Sequence, residues 1–87
     1  MGQSTGEAVE VQVIFSPRAL HPRPVSLHWH GRHYSVEKVH LVYEAWEGDT
    51  RFLLYSITAG GAFLELCYDM KKARWTADGG SGSGEAG

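Results

Sequence analysis

Apolar and polar residues alternate along this chain in short runs punctuated by glycine and proline, and no stretch keeps a sustained 3.6-residue apolar spacing. That pattern predicts strands. At positions 9–15, Val9, Val11, Val13 and Phe15 alternate with Glu10, Gln12 and Ile14, and only Ile14 breaks the polar side. The next segment, "SPRALHPRP", holds Pro17, Pro22 and Pro24 and predicts an extended arm, because proline denies a ladder its donors. In "SLHWHGRHYS", a type II′ turn centred on Gly31 and Arg32 would set His30 opposite His33, Trp29 opposite Tyr34, His28 opposite Ser35 and Leu27 opposite Val36. One face then carries Leu27, Trp29, Tyr34 and Val36; the other carries His28, His30, His33 and Ser35. Beyond Val36 the apolar parity passes to Val39, Leu41, Tyr43 and Ala45, a change that predicts a β-bulge near Glu37 or Lys38. After an "EGDT" turn, a second hairpin about Gly60 and Gly61 pairs Ile57 with Leu64, Tyr55 with Leu66 and Leu53 with Tyr68. A last turn through "MKKA" leads to a short strand at Arg74, Trp75 and Thr76. The sum is an all-β domain of about six antiparallel strands, a single strongly bent sheet or half-open barrel of the SH3-like kind.

The 87 residues make one domain, expected over 8–77, with a disordered start over 1–7 and a flexible Gly/Ser-rich tail over 78–87. A body of this size has a small core, so self-association as a homodimer is a natural expectation. One cysteine, Cys67, allows no intramolecular disulfide and no thiolate set for structural zinc. There is no membrane-length apolar run and no signal-peptide pattern, and the opening Met-Gly lacks Ser or Thr at the sixth position, where Gly6 stands. The expectation is a cytoplasmic protein with no membrane association.

Charge is unevenly placed. The net value is −2, yet all eight Lys and Arg lie within 18–74, against six acidic residues there. Positions 12–36 hold no acid at all, but do hold Arg18, Arg23, Arg32 and four histidines, interleaved with Trp29 and Tyr34. Such a surface could follow an anionic partner, weakly and with salt sensitivity, with Trp46, Phe52 or Phe63 as platforms for stacking bases. The alternative chemistry is metal binding. His28, His30 and His33 on adjacent antiparallel strands would form a three-imidazole set of the kind that holds Zn²⁺. Trp46, Phe52, Leu54 and Phe63 fall on the parity opposite to the main core and are expected to be covered by the first strand and the arm; left bare, they would bind a protein or a second copy. Cys67 reads as a packed or semi-exposed thiol, not a nucleophile. No Ser/His/Asp arrangement or pair of unlike carboxylates appears at motif spacing, so no enzyme and no cofactor are expected.

Across 24–76 the chain resembles a family of small bacterial domains of unknown function. "WHGRHYSV" is similar to that family's W-x-G-R-x-Y-x-V hairpin, and it is followed by Trp46, by Tyr55 and Ile57, by a glycine turn, by "ELCYD" at 65–69 and by Trp75. Such domains also occur at the C-terminal end of Y-family-polymerase-like mutagenesis proteins, and the resemblance implies an accessory role near DNA. It assigns no catalytic residue, and the family usually carries arginines or aromatics where this chain has its three clustered histidines. The expected function is a non-enzymatic interaction module that binds a protein or nucleic acid through Arg18, Arg23, His28, His30, Arg32 and His33, with Trp46 and Phe52.

Overall fold

The computed structural model describes residues 6–79. Seven strands follow one another: β1 (Glu7–Ala8), β2 (Glu10–Ile14), β3 (Arg23–Trp29), β4 (Arg32–Glu47), β5 (Thr50–Ala59), β6 (Ala62–Asp69) and β7 (Arg74–Gly79). All pair antiparallel in a single sheet of order β1-β7-β6-β5-β4-β3-β2, curled into a half-barrel. No helix long and apolar enough to cross a membrane is present among the described residues. The seventh strand arises because the expected first strand is divided at Val9. Its first part pairs with β7 (Ala8 opposite Thr76), its second with β3 (Val11 opposite Leu27), and Val9 N donates to Trp75 O at 3.2 Å between them. One short segment therefore ties together the two edges of the sheet. Glu7 is already in that segment and β7 runs on to Gly79, so the ordered body is wider at both ends than 8–77; expectations for 1–5 and 80–87 concern residues outside those described.

Closure needs a sheet that bends, and β4 supplies the bend twice. Val36 pairs with Ala59 and Lys38 with Thr58, which leaves Glu37 extra; Val39 pairs with Ile57 and Leu41 with Ser56, which leaves His40 extra. Each bulged residue is held by its side chain. The Glu37 carboxylate accepts the Gly61 N–H at 3.1 Å, and His40 Nε2 lies 2.7 Å from Thr58 Oγ1 with its ring against Phe63. The first bulge is the expected one. The second changes the parity again, so of Val39, Leu41, Tyr43 and Ala45 only Val39 faces inward; Val42 takes the next inner place, opposite Tyr55, while Leu41 and Tyr43 are exposed.

The Gly60-Gly61 hairpin has the predicted register throughout, with Ile57 opposite Leu64, Tyr55 opposite Leu66 and Leu53 opposite Tyr68. The β3–β4 hairpin does not. Its turn is His30-Gly31, both at positive φ (55° and 72°), so His28 faces His33, Leu27 faces Tyr34 and Trp29 faces Arg32. Positive φ at both central residues is the type I′ conformation, whose twist matches the strands, and histidine enters the left-handed region more readily than most residues. Because the pairing slides by two residues, an even number, the faces survive: Leu27 is buried, Trp29 and Tyr34 are half-buried, and His28 and His33 stay outside. Trp29 packs over the seam. Its Nε1 donates to Glu7 Oε1 at 3.0 Å, and its ring lies so close to Gly79 that a Cβ there would overlap it.

Leu27, Leu53, Tyr55, Ile57, Ala59, Leu64, Leu66 and Ala77 form the buried interior. Pro24 belongs to that inner side too: the arm ends one residue before it, and it lies fully buried in β3 opposite Val13, beside a register shift that spares it a ladder bond. Phe15, expected to close the first strand's apolar side, lies beyond β2 and is 77% exposed. Leu66 is 0% exposed and Phe63 64%. Leu66→Ala should therefore cost about 2–5 kcal/mol, while Phe63→Ala should cost less, about 0.5–1.5 kcal/mol for the ring contact with His40. Denaturant midpoints that rank the two the other way would mean the hairpin is inside out.

Candidate interaction surface

The slide of the β3–β4 hairpin rearranges the expected basic surface. His28 and His33 remain a cross-strand pair, ring centroids 6.0 Å apart. His30, now in the turn, leaves them: its Nε2 lies 2.9 Å from Glu7 Oε1 and its ring stacks on Trp29 at 4.7 Å. Glu10, from β2, stands opposite His28. The run without acids at 12–36 is therefore met in space by acids from outside it, one at each end of the histidine row. Arg23 is exposed on β3 opposite Ile14, Arg32 sits at the hairpin's end opposite Trp29, and Arg18 lies in a turn of the arm with its N–H on Ser16 Oγ at 3.3 Å. The three histidines expected as a metal set do not converge. Among the described residues, no three His, Cys, Asp or Glu side chains are grouped so as to hold an ion.

The arm is fastened to the inner side by polar contacts. Tyr55 is buried in the core, and burial pushes its phenol up to about 12, so it stays protonated and donates to Pro22 O at 2.7 Å. His21 Nε2 lies 3.1 Å from Glu44 Oε2, and Arg51 Nε lies 3.4 Å from Glu44 Oε1, without the alignment of a hydrogen bond. These contacts flank a pocket of about 410 Å³ between the arm and β4. Of the polar side chains that line it, His21 and Tyr55 hold the arm and Glu37 accepts the Gly61 N–H.

The other side of the sheet is different. Trp46, Phe52, Leu54 and Phe63 were expected to be covered by the first strand and the arm, but both of those lie elsewhere: β2 adds to the sheet edge at β3, and the arm crosses the inner side. The second bulge in β4 adds Leu41, Tyr43 and Ala45 to this outer side, as partners of Ser56, Leu54 and Phe52. The result is a bare apolar sheet face with a groove of about 490 Å³ over its β4–β7 end. Phe52, Leu54 and Cys67 form the floor, Trp46 (63% exposed) stands at one wall, and Lys72 and Arg74 line the opposite one. The pairing of Trp46 with Arg51 gives it the parity opposite to Ala45, yet it lines the same groove. A smaller hollow of about 160 Å³ shares Leu54, Cys67 and Thr76 and continues the groove toward Glu65 and Asp78. Burial, then the charge of Asp69, pushes the Cys67 thiol up, so it remains a neutral part of the floor.

Of the residues expected to bind a partner, the structure thus brings Trp46 and Phe52 together in this groove and sets Arg18, Arg23, His28, His30, Arg32 and His33 apart from it. Lys72 and Arg74 were missed by sequence reasoning, although the Gly60-Gly61 register and the "MKKA" turn together carry the chain from Asp69 straight back to Arg74. The chain matches no protein-family model, no curated protein and no solved structure.

The carboxyl group of Glu44 is held below its usual 4.5, first by the hydrogen bond from His21 and then, against partial desolvation, by the Arg51 and His21 charges. A carboxylate whose pKa is lowered on folding stabilises the fold above its unfolded pKa and ceases to do so as pH falls through the folded value. Wild type should lose stability below pH 4.5 more steeply than Glu44→Gln, by a small margin because the group is exposed. Thermal unfolding from pH 6 to 3 measures both slopes, and identical slopes would show that the carboxylate is not coupled to the fold.

Proposed function

We propose that this chain is a non-enzymatic interaction module that docks a segment of a protein partner on the outer face of β4–β7. The observation that carries this reading is the groove beside Trp46: an aromatic residue 63% exposed, next to half-buried Phe52 and Leu54, on a face that, among the described residues outside the sheet, only Gly6 reaches, at its far end. Exposed apolar surface rimmed by polar groups is what partner recognition uses, and a partly exposed Trp is the residue type most often found at the energetic centre of an interface. The chain's other polar chemistry is committed to architecture. Glu7 holds Trp29 and His30, Glu44 holds His21 and Arg51, and the Cys67 thiol is neutral.

Nucleic acid is the weaker partner for this groove. Lys72 and Arg74 are accompanied there by Glu47 and Asp69, a balance far from the basic stripe that a phosphate backbone requires. The accessory role near DNA that the family resemblance implies is served equally well by a module that grips a protein. A neutral thiol and the absence of any cystine partner suit a reducing, cytoplasmic setting.

Selection of peptides from a random display library against the intact chain, followed by two-dimensional amide spectra, tests the reading. Selected peptides should shift the resonances of Phe52, Leu54, Cys67 and Thr76, and Trp46→Ala should weaken them about tenfold or more, the range for a central interface residue, without lowering thermal stability. Ligands that instead shift His28 and His33, or an oligonucleotide that binds tightly and is lost on His28→Ala/His33→Ala, would replace this reading with the histidine hairpin. Concentration-dependent sedimentation abolished by Trp46→Ala would name a second copy as the partner.

A further inference from the structure

The two ends of the outer groove differ in charge. At the β6–β7 turn, Lys72 and Arg74 project at its rim beside Glu47 and Asp69, so the charges balance there; neither cation forms a close ion pair among the described residues, and Asp69, opposite Arg74 in the ladder, turns its Oδ1 to the Lys71 and Lys72 N–H groups at 2.9 and 3.0 Å. At the far end, Glu65 and Asp78 face each other directly across β6 and β7, also without a cation. Like charges at a directly opposed position destabilise a sheet, so this pair is unfavourable in the free chain and relieved by an incoming cation. Between the two ends lie Leu54, Cys67 and Thr76, which line both hollows.

We infer, on the basis of the docking reading above, that the partner segment is an extended peptide carrying an acidic residue, an apolar residue and a basic residue at alternate positions. The spacing follows from the strand. Arg74 and Asp78 lie four residues apart on β7, about 13 Å at the rise of a β-strand, and an extended peptide laid along it presents side chains i, i+2 and i+4 to the same face over the same distance. The acidic side chain meets Lys72 and Arg74, the apolar one enters the floor at Leu54, and the basic one lies between Glu65 and Asp78. The charged ends set the peptide's direction, and the floor supplies the apolar contact. This is recognition by side chains over a sheet face, not by addition of a strand to an edge.

The chain's only cysteine lies in the floor, so its alkylation reports occupancy of this site alone. Four acetylated, amidated peptides are compared at equal concentration as protectors of Cys67 against N-ethylmaleimide: Gly-Glu-Ser-Phe-Ser-Lys-Gly, its Glu/Glu and Lys/Lys versions, and its Phe-to-Ser version. The Glu/Lys peptide should protect about three- to fivefold better than either uniformly charged one, the range expected of exposed charge pairs, and the Phe-to-Ser peptide should not protect. In Glu65→Lys, a variant that turns the like-charged pair into an ion pair and so keeps the fold, the advantage of the Glu/Lys peptide over the Glu/Glu one should vanish; in Lys72→Glu its advantage over the Lys/Lys peptide should vanish. Equal protection by all three Phe peptides would overturn the charge reading and leave the docking face standing. No protection by any of them, while display-selected ligands still shift groove resonances, would overturn the motif alone; no ligand on this face in either experiment would overturn both.

Discussion

A seven-stranded antiparallel sheet in a chain this small has two edges, and one segment, Glu7 to Ile14, pairs with both of them. The rest of the structure follows from that double pairing. An edge strand left unpaired exposes a row of donors and acceptors, and a sheet with one open side leaves its apolar face half in water. Here the same short run covers β7 with its first residues and β3 with its last, turning over between them at Val9, and Trp29 bridges the seam from the opposite side by packing on Gly79 and donating to Glu7. Glu7 accepts from both Trp29 and His30, so the residue that begins the closing strand also locks the hairpin it closes against.

Closure divides the two sides of the sheet between stability and recognition. The inner side is filled by Leu27, Leu53, Tyr55, Ile57, Leu64 and Leu66, and capped by the arm through Tyr55, His21 and Glu44. The outer side receives whatever the register does not send inward. Because β4 bulges at His40, that remainder includes Leu41, Tyr43 and Ala45 beside Phe52 and Leu54, an apolar surface larger than a strand with simple alternation would leave outside. The geometric device that lets the sheet curl is thus the one that supplies its bare face. The histidine hairpin, the most conspicuous feature of the sequence, belongs to the closing apparatus at His30 and to a solvated cross-strand pair at His28 and His33.

The parts of this arrangement that were legible in the sequence are those decided by local chemistry. Gly60-Gly61 offers one comfortable two-residue turn, and the apolar faces of the two strands agree only in the register that turn imposes, so every pair from Leu53/Tyr68 to Ile57/Leu64 could be read off. At "WHGRHY" two turns were available, Gly31-Arg32 and His30-Gly31, and both keep Leu27 and Trp29 on the dry side. What separates them is a left-handed His30 and its contact with Glu7, more than twenty residues away, which alternation does not encode. The bulge at Glu37 showed itself as a phase change between Val36 and Val39. The bulge at His40 did not, because Leu41, Tyr43 and Ala45 are apolar on whichever face they stand, and the contacts that fix it, Thr58 and Phe63, come from the neighbouring strand and its hairpin. For the same reason the groove was only half visible: Trp46 and Phe52 stood out as aromatic residues expected on the second parity, which the register gives to Phe52 alone, whereas Lys72 and Arg74 acquire meaning only once β7 is laid beside β6.

The claim on which this account turns is that one segment closes both edges at once, and the interstrand backbone contacts of a single nuclear Overhauser spectrum test it directly. The account predicts contacts of Ala8 with Thr76 and of Val11 with Leu27 at comparable intensity in the same sample, together with a Val9 amide close to Trp75. Contacts of Val11 with Leu27 accompanied by an Ala8 that touches nothing on β7 would contradict it: the sheet would then be open along β7, its inner face reachable by a partner, and the division of the two sides between core and recognition would fall.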